Sequence, residues 1–181
     1  MFTYSAESPP TVPKALLDGP VLEGIEEDEK RSFFGRLRFL VAESRTRLFQ
    51  EGEPGDRLWV LLSGTVTLTR ETEGGEVVEL DRARTGDVFG ELAVISPASR
   101  FATATTVGGC QLVVLERAAF RALIKQRDPA AEALLRFLTH RICRRLRQVD
   151  ARIALVHDAL NGASDASLRR RAADLDAFGE Y

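Results

Sequence analysis

Short runs of apolar and β-branched residues alternate with turn residues through the middle of the chain. The clearest run is residues 65–69, where Val66 and Leu68 alternate with threonines as in a half-buried strand. Glycine-rich pairs and a Pro-Gly-Asp sequence separate the runs and predict tight turns. Short strands at this spacing predict a β-barrel or jelly roll. The predicted strands are residues 37–41, 46–50, 58–62, 65–69, 77–80, 102–107 and 111–115.

The apolar pattern becomes helical after residue 115. Residues 118–126 predict one helix, and Asp128-Pro129 then supplies an N-cap and a first helical residue for another. This second helix extends to about Leu160, before Asn161-Gly162. Its apolar positions recur every three or four residues, and some of them recur every seven, as in a coiled coil. The seven-residue series is Leu135, Ile142, Val149 and Val156.

Four regions follow from these patterns. Residues 1–20 contain four prolines and predict an irregular N-terminal arm. Residues 21–128 hold a short helix at 26–36, the strands and the helix at 118–126. Residues 129–160 form the long helix, and residues 161–181 form a tail whose apolar spacing is that of one more short helix.

Composition and charge exclude several classes of function. The 181 residues are 44% hydrophobic and 29% charged, which is typical of one globular domain with extensions. The net charge of −2 gives no general attraction to nucleic acid. Cys110 and Cys143 form no metal or redox motif, and no membrane span or signal peptide is present, so we expect a cytoplasmic protein. No catalytic or metal-binding constellation appears, so we expect no enzymatic activity, no metal and no cofactor.

The candidate chemistry lies in the string FGELA at residues 89–93 and in Arg100. The Glu91 carboxylate suits hydrogen bonds from sugar hydroxyls, and the Arg100 guanidinium suits a phosphate. Gly90 allows a ligand to approach the backbone closely. A plainer interpretation is that Glu91 and Arg100 form a surface ion pair worth only about 0–1 kcal/mol.

This string resembles the phosphate-binding cassette of cyclic nucleotide-binding domains. The sequences GEPGD at residues 52–56 and LWVLLSG at residues 58–64 support the resemblance, which covers roughly residues 20–160. It implies an α+β, mainly-β fold: an eight-stranded jelly roll flanked by a short N-terminal helix and by C-terminal helices. The last of these helices is long and coiled-coil-like.

The resemblance also implies roles for the cassette residues. Glu91 would accept from the ribose 2′-hydroxyl, and Arg100 would pair with the exocyclic phosphate oxygens. The helix beginning at Leu92 would direct its backbone amides at the same phosphate. The ligand-binding set is Gly90, Glu91, Leu92, Ala93, Arg100, Phe101 and Ala102.

Phe101 departs from the family pattern, because binding members usually have a small or hydroxylated residue there. Its backbone N–H remains available to the phosphate, but a side-chain hydroxyl for phosphate or guanine is lost. One hypothesis is a sensor that favours cAMP weakly over cGMP. The alternative is a non-binding scaffold whose pocket Phe101 alters, and a cyclic dinucleotide or other phosphorylated ligand is a third.

The long helix predicts either a parallel homodimer, which the heptads favour, or packing on its own domain. Its arginine-rich stretch, between Arg136 and Arg152, is more typical of a solvated face than of a nucleic-acid surface. The residues after Leu160 are too few for the helix-turn-helix of family transcription factors. We therefore expect signalling to a separate effector protein, without nucleic acid or membrane.

Overall fold

A computed structural model describes residues 2–4, of which only the backbone is considered, then residues 12–161, 164 and 167. The helices are α1 (Lys14–Leu17), α2 (Glu27–Gly35), α3 (Leu92–Ile95), α4 (Arg117–Lys125) and α5 (Pro129–Leu160), with a 3₁₀ turn at Pro20–Leu22. The strands are β1 (Phe2–Tyr4), β2 (Arg38–Ala42), β3 (Arg47–Phe49), β4 (Arg57–Ser63), β5 (Thr65–Glu71), β6 (Val77–Arg84), β7 (Val88–Phe89), β8 (Thr103–Thr106) and β9 (Cys110–Glu116).

The strands form two antiparallel sheets, with orders β1-β2-β9-β4-β7 and β3-β8-β5-β6. Strands β2 to β9 make the eight-stranded roll, and β1 is added at the edge of the first sheet. The predicted mainly-β jelly roll with flanking helices is therefore confirmed. Among the described residues, no helix has the length and apolar character that a membrane span requires.

The interior of the roll is aromatic. Trp59 on β4 stacks on Phe89 of β7, with ring centroids 6.4 Å apart, and Phe49 of β3 lies 6.5 Å from Trp59. These rings belong to one buried cluster with aliphatic residues from both sheets. Five consecutive residues of β4, from Leu58 to Leu62, are buried, so this strand is covered on both faces.

The prediction of an irregular arm over residues 1–20 is wrong in two places. The backbone of Phe2–Tyr4 pairs with β2, with Phe2 opposite Ala42. Residues Lys14–Leu17 form α1, in which Leu16 and Leu17 are buried. Proline content reports local stiffness, whereas both elements depend on partners distant in sequence. Residues 5–11 lie outside the described residues.

The chain divides into two compact units, Met1–Phe137 and Leu138–Tyr181. The first turns of α5 therefore belong to the roll unit, which extends past the predicted boundary at residue 128. Ala131 and Leu134 are buried there. In the second unit, α5 carries a stripe of exposed apolar side chains. The predicted tail helix and Gly162 lie outside the described residues, except for Ser164 and Ser167.

Asp128 starts α5 as the sequence predicts. Its Oδ1 accepts a hydrogen bond of 3.0 Å from the Ala131 N–H, and its Oδ2 pairs with the Arg36 guanidinium at 2.8 Å. Burial raises the pKa of Asp128, but the hydrogen bonds from Arg36 and Ala131 outweigh it and hold the pKa below its ordinary 3.8. One carboxylate thus caps α5 and ties it to α2.

Replacing Asp128 tests this cap. Asp128→Ala removes the cap and the ion pair, and we expect it to lower the free energy of unfolding by about 1–2 kcal/mol. Asp128→Asn keeps a capping oxygen and loses only the charge, so we expect a loss of about 0–1 kcal/mol. Urea unfolding at neutral pH, followed by circular dichroism, measures both.

The pH dependence gives a second readout for the same pair of variants. A carboxylate whose pKa is lowered in the folded state stabilises the fold at pH values above its unfolded-state pKa. That contribution is lost as the pH falls through the folded-state pKa. The difference between wild type and Asp128→Asn should therefore shrink as pH falls below 3.8, towards the lowered folded-state pKa. A difference that stays constant through this range would contradict the assigned ion pair.

Candidate functional site

The string FGELA forms a strand, a turn and the start of a helix. β7 ends at Phe89, and Gly90 then adopts a φ of +70°, a conformation that favours glycine. The Glu91 carbonyl accepts from the N–H groups of Val94 and Ile95, at 3.0 and 3.2 Å, which closes the single turn of α3. Two residues, Gly90 and Glu91, therefore connect the end of β7 to the start of α3.

Backbone pairing brings Arg100 back to this turn. The Arg100 N–H donates to the Glu53 carbonyl at 2.8 Å, and the Gly52 N–H donates to the Arg100 carbonyl at 2.8 Å. Pro54 and Ser99 form an isolated antiparallel bridge beside them. The structure thus places the GEPGD segment directly against the cassette, which joins the two motifs found in the sequence.

The Arg100 guanidinium is turned into the roll. Nη1 donates to the Gly90 carbonyl at 3.0 Å, and Nη2 donates to the Arg57 carbonyl at 2.9 Å. Its Cζ lies 4.2 Å from the centroid of the Phe49 ring, a cation–π contact. Burial lowers the pKa of Arg100, and the nearby Asp56 carboxylate opposes that shift.

Glu91 is buried beside this arginine, with 4% exposure against 7% for Arg100. Within the described part of the chain, these two are the buried residues that carry a charge. The Glu91 carboxylate has no hydrogen bond or ion pair to any described residue, and it does not pair with Arg100. The interpretation of a surface ion pair is therefore wrong, because both groups are buried and they are not joined.

Two glycines give the guanidinium its space. A Cβ on Gly90 would lie 2.8 Å from Arg100 Nη1 and 3.3 Å from Trp59 Cδ1. A Cβ on Gly55 would lie 2.5 Å from the Ala93 Cβ and 3.1 Å from Arg100 Nε. The sequence predicts that Gly90 leaves room for a ribose, and this stays a prediction. In the structure, Arg100 and Trp59 border the same space.

Two further arginines fix the cassette, and the sequence analysis missed both. Arg117, the first residue of α4, donates to the carbonyls of Ala93 and Gly55. Arg57 pairs with Asp56 at 2.7 Å, and the hydrogen bond from Arg57 lowers the pKa of that carboxyl. The partners of Arg117 lie 24 and 62 residues away in sequence, so no local spacing could have identified them.

The remaining predicted ligand residues differ in exposure. Ala93 and Ala102 are buried, and Leu92 is 36% exposed at the start of α3. Phe101 is half-buried and packs against the interior cluster. The structure therefore brings all the predicted residues to one end of the roll. It also places the Phe101 ring against the core rather than fully in solvent.

An apolar groove of about 450 Å³ lies between α3, α4 and the early part of α5. Val94 and Ile95 of α3 face α4 and the first turns of α5 across it. None of the predicted ligand residues lines the groove. Its lining is Val94, Ile95, Phe120, Arg121, Ile124, Lys125 and Leu135.

Comparison with known proteins identifies relatives of this roll. The family described as the cyclic nucleotide-binding domain matches residues 39–127. A CRP-like cAMP-activated global transcriptional regulator from Mycobacterium tuberculosis is 33% identical over 124 residues, which is 68% of this chain and 55% of the relative. The chain therefore spans little more than half the length of that relative.

Solved structures of other proteins also resemble this chain. The N-terminal domain of a transcriptional regulator from Streptomyces coelicolor is 27% identical with a TM-score of 0.64, and the match covers 72% of this chain and 93% of that one. The regulatory domain of Toxoplasma gondii PKA, solved with cAMP, is 25% identical with a TM-score of 0.56. That match covers 70% of this chain and 47% of the other.

The glycine that borders Arg100 gives a test of the site geometry. Gly55→Ala places a methyl group against Ala93 and Arg100, and we expect it to lower the free energy of unfolding by about 1–3 kcal/mol. Gly35→Ala is the control, because a Cβ there meets nothing within 4 Å. We expect that control to change stability by less than about 1 kcal/mol. Urea unfolding followed by Trp59 fluorescence measures both, and equal stability of the two variants would contradict the close approach.

Proposed function

The chain belongs to the cyclic nucleotide-binding domain family through residues 39–127, and from this premise we propose that it is a cyclic nucleotide sensor. The ligand is a cyclic mononucleotide, with cAMP favoured weakly over cGMP. The protein is not an enzyme, acts in the cytoplasm and passes the signal to a separate effector protein through α5.

One observation carries this proposal: the charged side chains buried in the described residues are Glu91 and Arg100. A buried charge costs free energy unless hydrogen bonds compensate it. The protein compensates Arg100 through the Gly90 and Arg57 carbonyls, whereas no described residue donates to the Glu91 carboxylate, whose oxygens keep slight solvent contact. A ribose hydroxyl is a donor of the kind that this carboxylate lacks.

The guanidinium retains capacity for a phosphate. Two backbone carbonyls use two of its five N–H donors, so three remain for an anionic oxygen once the cassette opens. The backbone amides of Leu92 and Ala93, at the start of α3, are further donors to that anion. Gly90 places no side chain beside the guanidinium, and the Phe101 backbone N–H adds one more contact.

The preference for cAMP rests on two supports. Phe101 offers no hydroxyl to guanine, which removes one means of selecting cGMP. The Mycobacterium tuberculosis relative is described as cAMP-activated, and the Toxoplasma gondii domain was solved with cAMP. Both relatives therefore favour the adenine ligand for this chain.

The route from ligand to helix begins at α3. Glu91 closes the turn of α3, and Arg117 ties the Ala93 carbonyl to the start of α4. Across the groove, Val94 and Ile95 face α4 and the early turns of α5. A ligand that moves Glu91 would therefore shift α3 against these helices. Such a ligand changes their position only in so far as it binds the two arrangements with different affinity.

The exposed stripe on α5 supports a parallel homodimer. Leu146, Ile153 and Leu160 recur every seven residues and are 60%, 62% and 82% exposed. Val149 and Val156 complete the seam of a two-stranded coiled coil. With both helices in register, Arg145 of one copy lies near Asp150 of the other, as expected for flanking charges five residues apart.

A scaffold without ligand is the alternative function, and one observation favours it. The Phe101 ring packs against the core cluster and Arg100 is already hydrogen-bonded within the protein, so the roll is a complete structure by itself. In that case α5 and the groove would recruit a partner regardless of nucleotide.

Calorimetric titration with cAMP and cGMP tests the sensor. We expect the wild type to bind cAMP, and Arg100→Ala to lose about 30-fold or more in affinity, because the phosphate loses a buried charged partner. Glu91→Gln should lose about tenfold, since the ribose hydroxyl loses a charged acceptor. Arg84→Ala, at an exposed arginine on β6, is the matched control and should bind as the wild type does.

Two outcomes would reverse this assignment. An absence of heat with either nucleotide at millimolar concentration would contradict the sensor. Binding that appears only in Phe101→Ser would show that Phe101 blocks the pocket, which is the scaffold alternative.

Light scattering on two lysine variants tests the dimer. We expect the wild type to be a dimer and Ile153→Lys to be a monomer at micromolar concentration, because the lysine places a charge in each helix of the seam. Ala154→Lys adds the same residue at the next position, which lies outside the seam and is exposed. This control should remain dimeric. A monomeric wild type, or equal behaviour of the two variants, would contradict the pairing.

A further inference from the structure

The indole N–H of Trp59 has no acceptor. Trp59 is 2% exposed. Of the fully shielded side-chain nitrogen and oxygen atoms in the described residues, Trp59 Nε1 is the one without a hydrogen-bond partner. Its neighbours in the aromatic layer, Phe49 and Phe89, fill their space without a polar atom. A buried donor left unsatisfied destabilises the folded state, so this tryptophan needs an explanation that packing alone does not give.

The position of the Trp59 ring suggests an explanation for the unsatisfied donor. The Trp59 and Phe89 planes are stacked 8° from parallel, and Phe89 is followed directly by Gly90. A Cβ on Gly90 would lie 3.3 Å from Trp59 Cδ1 and 2.8 Å from Arg100 Nη1. Cδ1 is bonded to Nε1 in the indole ring. The indole N–H edge and the Arg100 guanidinium therefore border the same glycine.

We propose that Trp59 is a ligand-binding residue whose Nε1–H donates to an exocyclic oxygen of the cyclic phosphate. This contact rests on the proposed function. Indole is a donor only, so an acceptor oxygen is the group it can recognise. It would join Arg100 on the anion while Glu91 accepts from the sugar. Being neutral, it adds a hydrogen bond without burying a second positive charge.

The three side chains proposed to contact the ligand are all buried, which limits how a ligand can enter. Glu91, Arg100 and Trp59 are 4%, 7% and 2% exposed, so the cassette has to open before a ligand contacts all three. Once the ligand is seated, the unsatisfied indole donor gains its acceptor. A hydrogen bond to a charged oxygen of this kind corresponds to about tenfold in affinity.

Nitrogen-15 NMR of the full chain observes this contact directly. The chain has one tryptophan, so the spectrum contains a single indole N–H signal. With cAMP at saturation, judged by calorimetry on the same sample, we expect the indole proton to move downfield. Binding of cAMP with an unmoved indole signal would overturn the contact alone. No binding of cAMP would refute the proposed function and this contact with it.

The two phosphorothioate diastereomers of cAMP separate a hydrogen bond from packing. Each replaces one exocyclic phosphate oxygen by sulfur, a poorer acceptor. Trp59→Phe keeps an aromatic ring and removes the N–H, so we expect it to bind cAMP about tenfold more weakly. It should also discriminate between the diastereomers about tenfold less than the wild type does.

Phe89→Leu is the control for packing, because it removes the ring stacked on Trp59 and no hydrogen-bond donor. We expect it to lower stability and to leave the affinity ratio of the diastereomers within about twofold of the wild-type ratio. The same ratio in wild type and Trp59→Phe would overturn the proposed contact. The NMR measurement on the wild type decides the case if either variant fails to fold.

Discussion

The buried guanidinium of Arg100 is the constraint around which this end of the roll is built. A cation in an apolar interior is tolerated only when its N–H groups are satisfied. Here Gly90 and Arg57 supply carbonyls and Phe49 supplies an aromatic face. These partners come from β4, β3 and the residue that follows β7, so one side chain links three neighbouring parts of the roll. A side chain at position 55 would clash first with Ala93, whose Cβ would lie 2.5 Å from the added Cβ, and would also approach Arg100 Nε at 3.1 Å.

In the proposed sensor, the same arrangement would couple ligand binding to α3. One of the two carbonyls that hold Arg100, that of Gly90, belongs to the turn from which α3 begins, so a phosphate that draws on the guanidinium would act on the cassette backbone. Glu91 lies in the same turn and has no donor of its own in the described chain. This carboxylate therefore lies at the start of α3, and α3 is the element that packs towards α4 and the first turns of α5.

The sequence predicts the roll well because its information is local. Alternation in residues 65–69 indicates a strand that the structure confirms as part of β5, and Asp128-Pro129 marks the start of α5. Prediction from the sequence fails where a partner distant in sequence determines the structure. Phe2–Tyr4 becomes a strand by pairing with β2, and Arg117 binds carbonyls 24 and 62 residues away. The motif also identifies Arg100 without showing that it folds inward onto backbone carbonyls.

A crystal structure of the chain grown with cAMP tests the central claim most directly. The account predicts the phosphate within hydrogen-bonding distance of the Arg100 guanidinium and a ribose hydroxyl on the Glu91 carboxylate. It also predicts that at least one of the present Arg100 bonds, to Gly90 or to Arg57, is lengthened or exchanged. Nucleotide bound elsewhere, with Arg100 and Glu91 unchanged, would contradict the account.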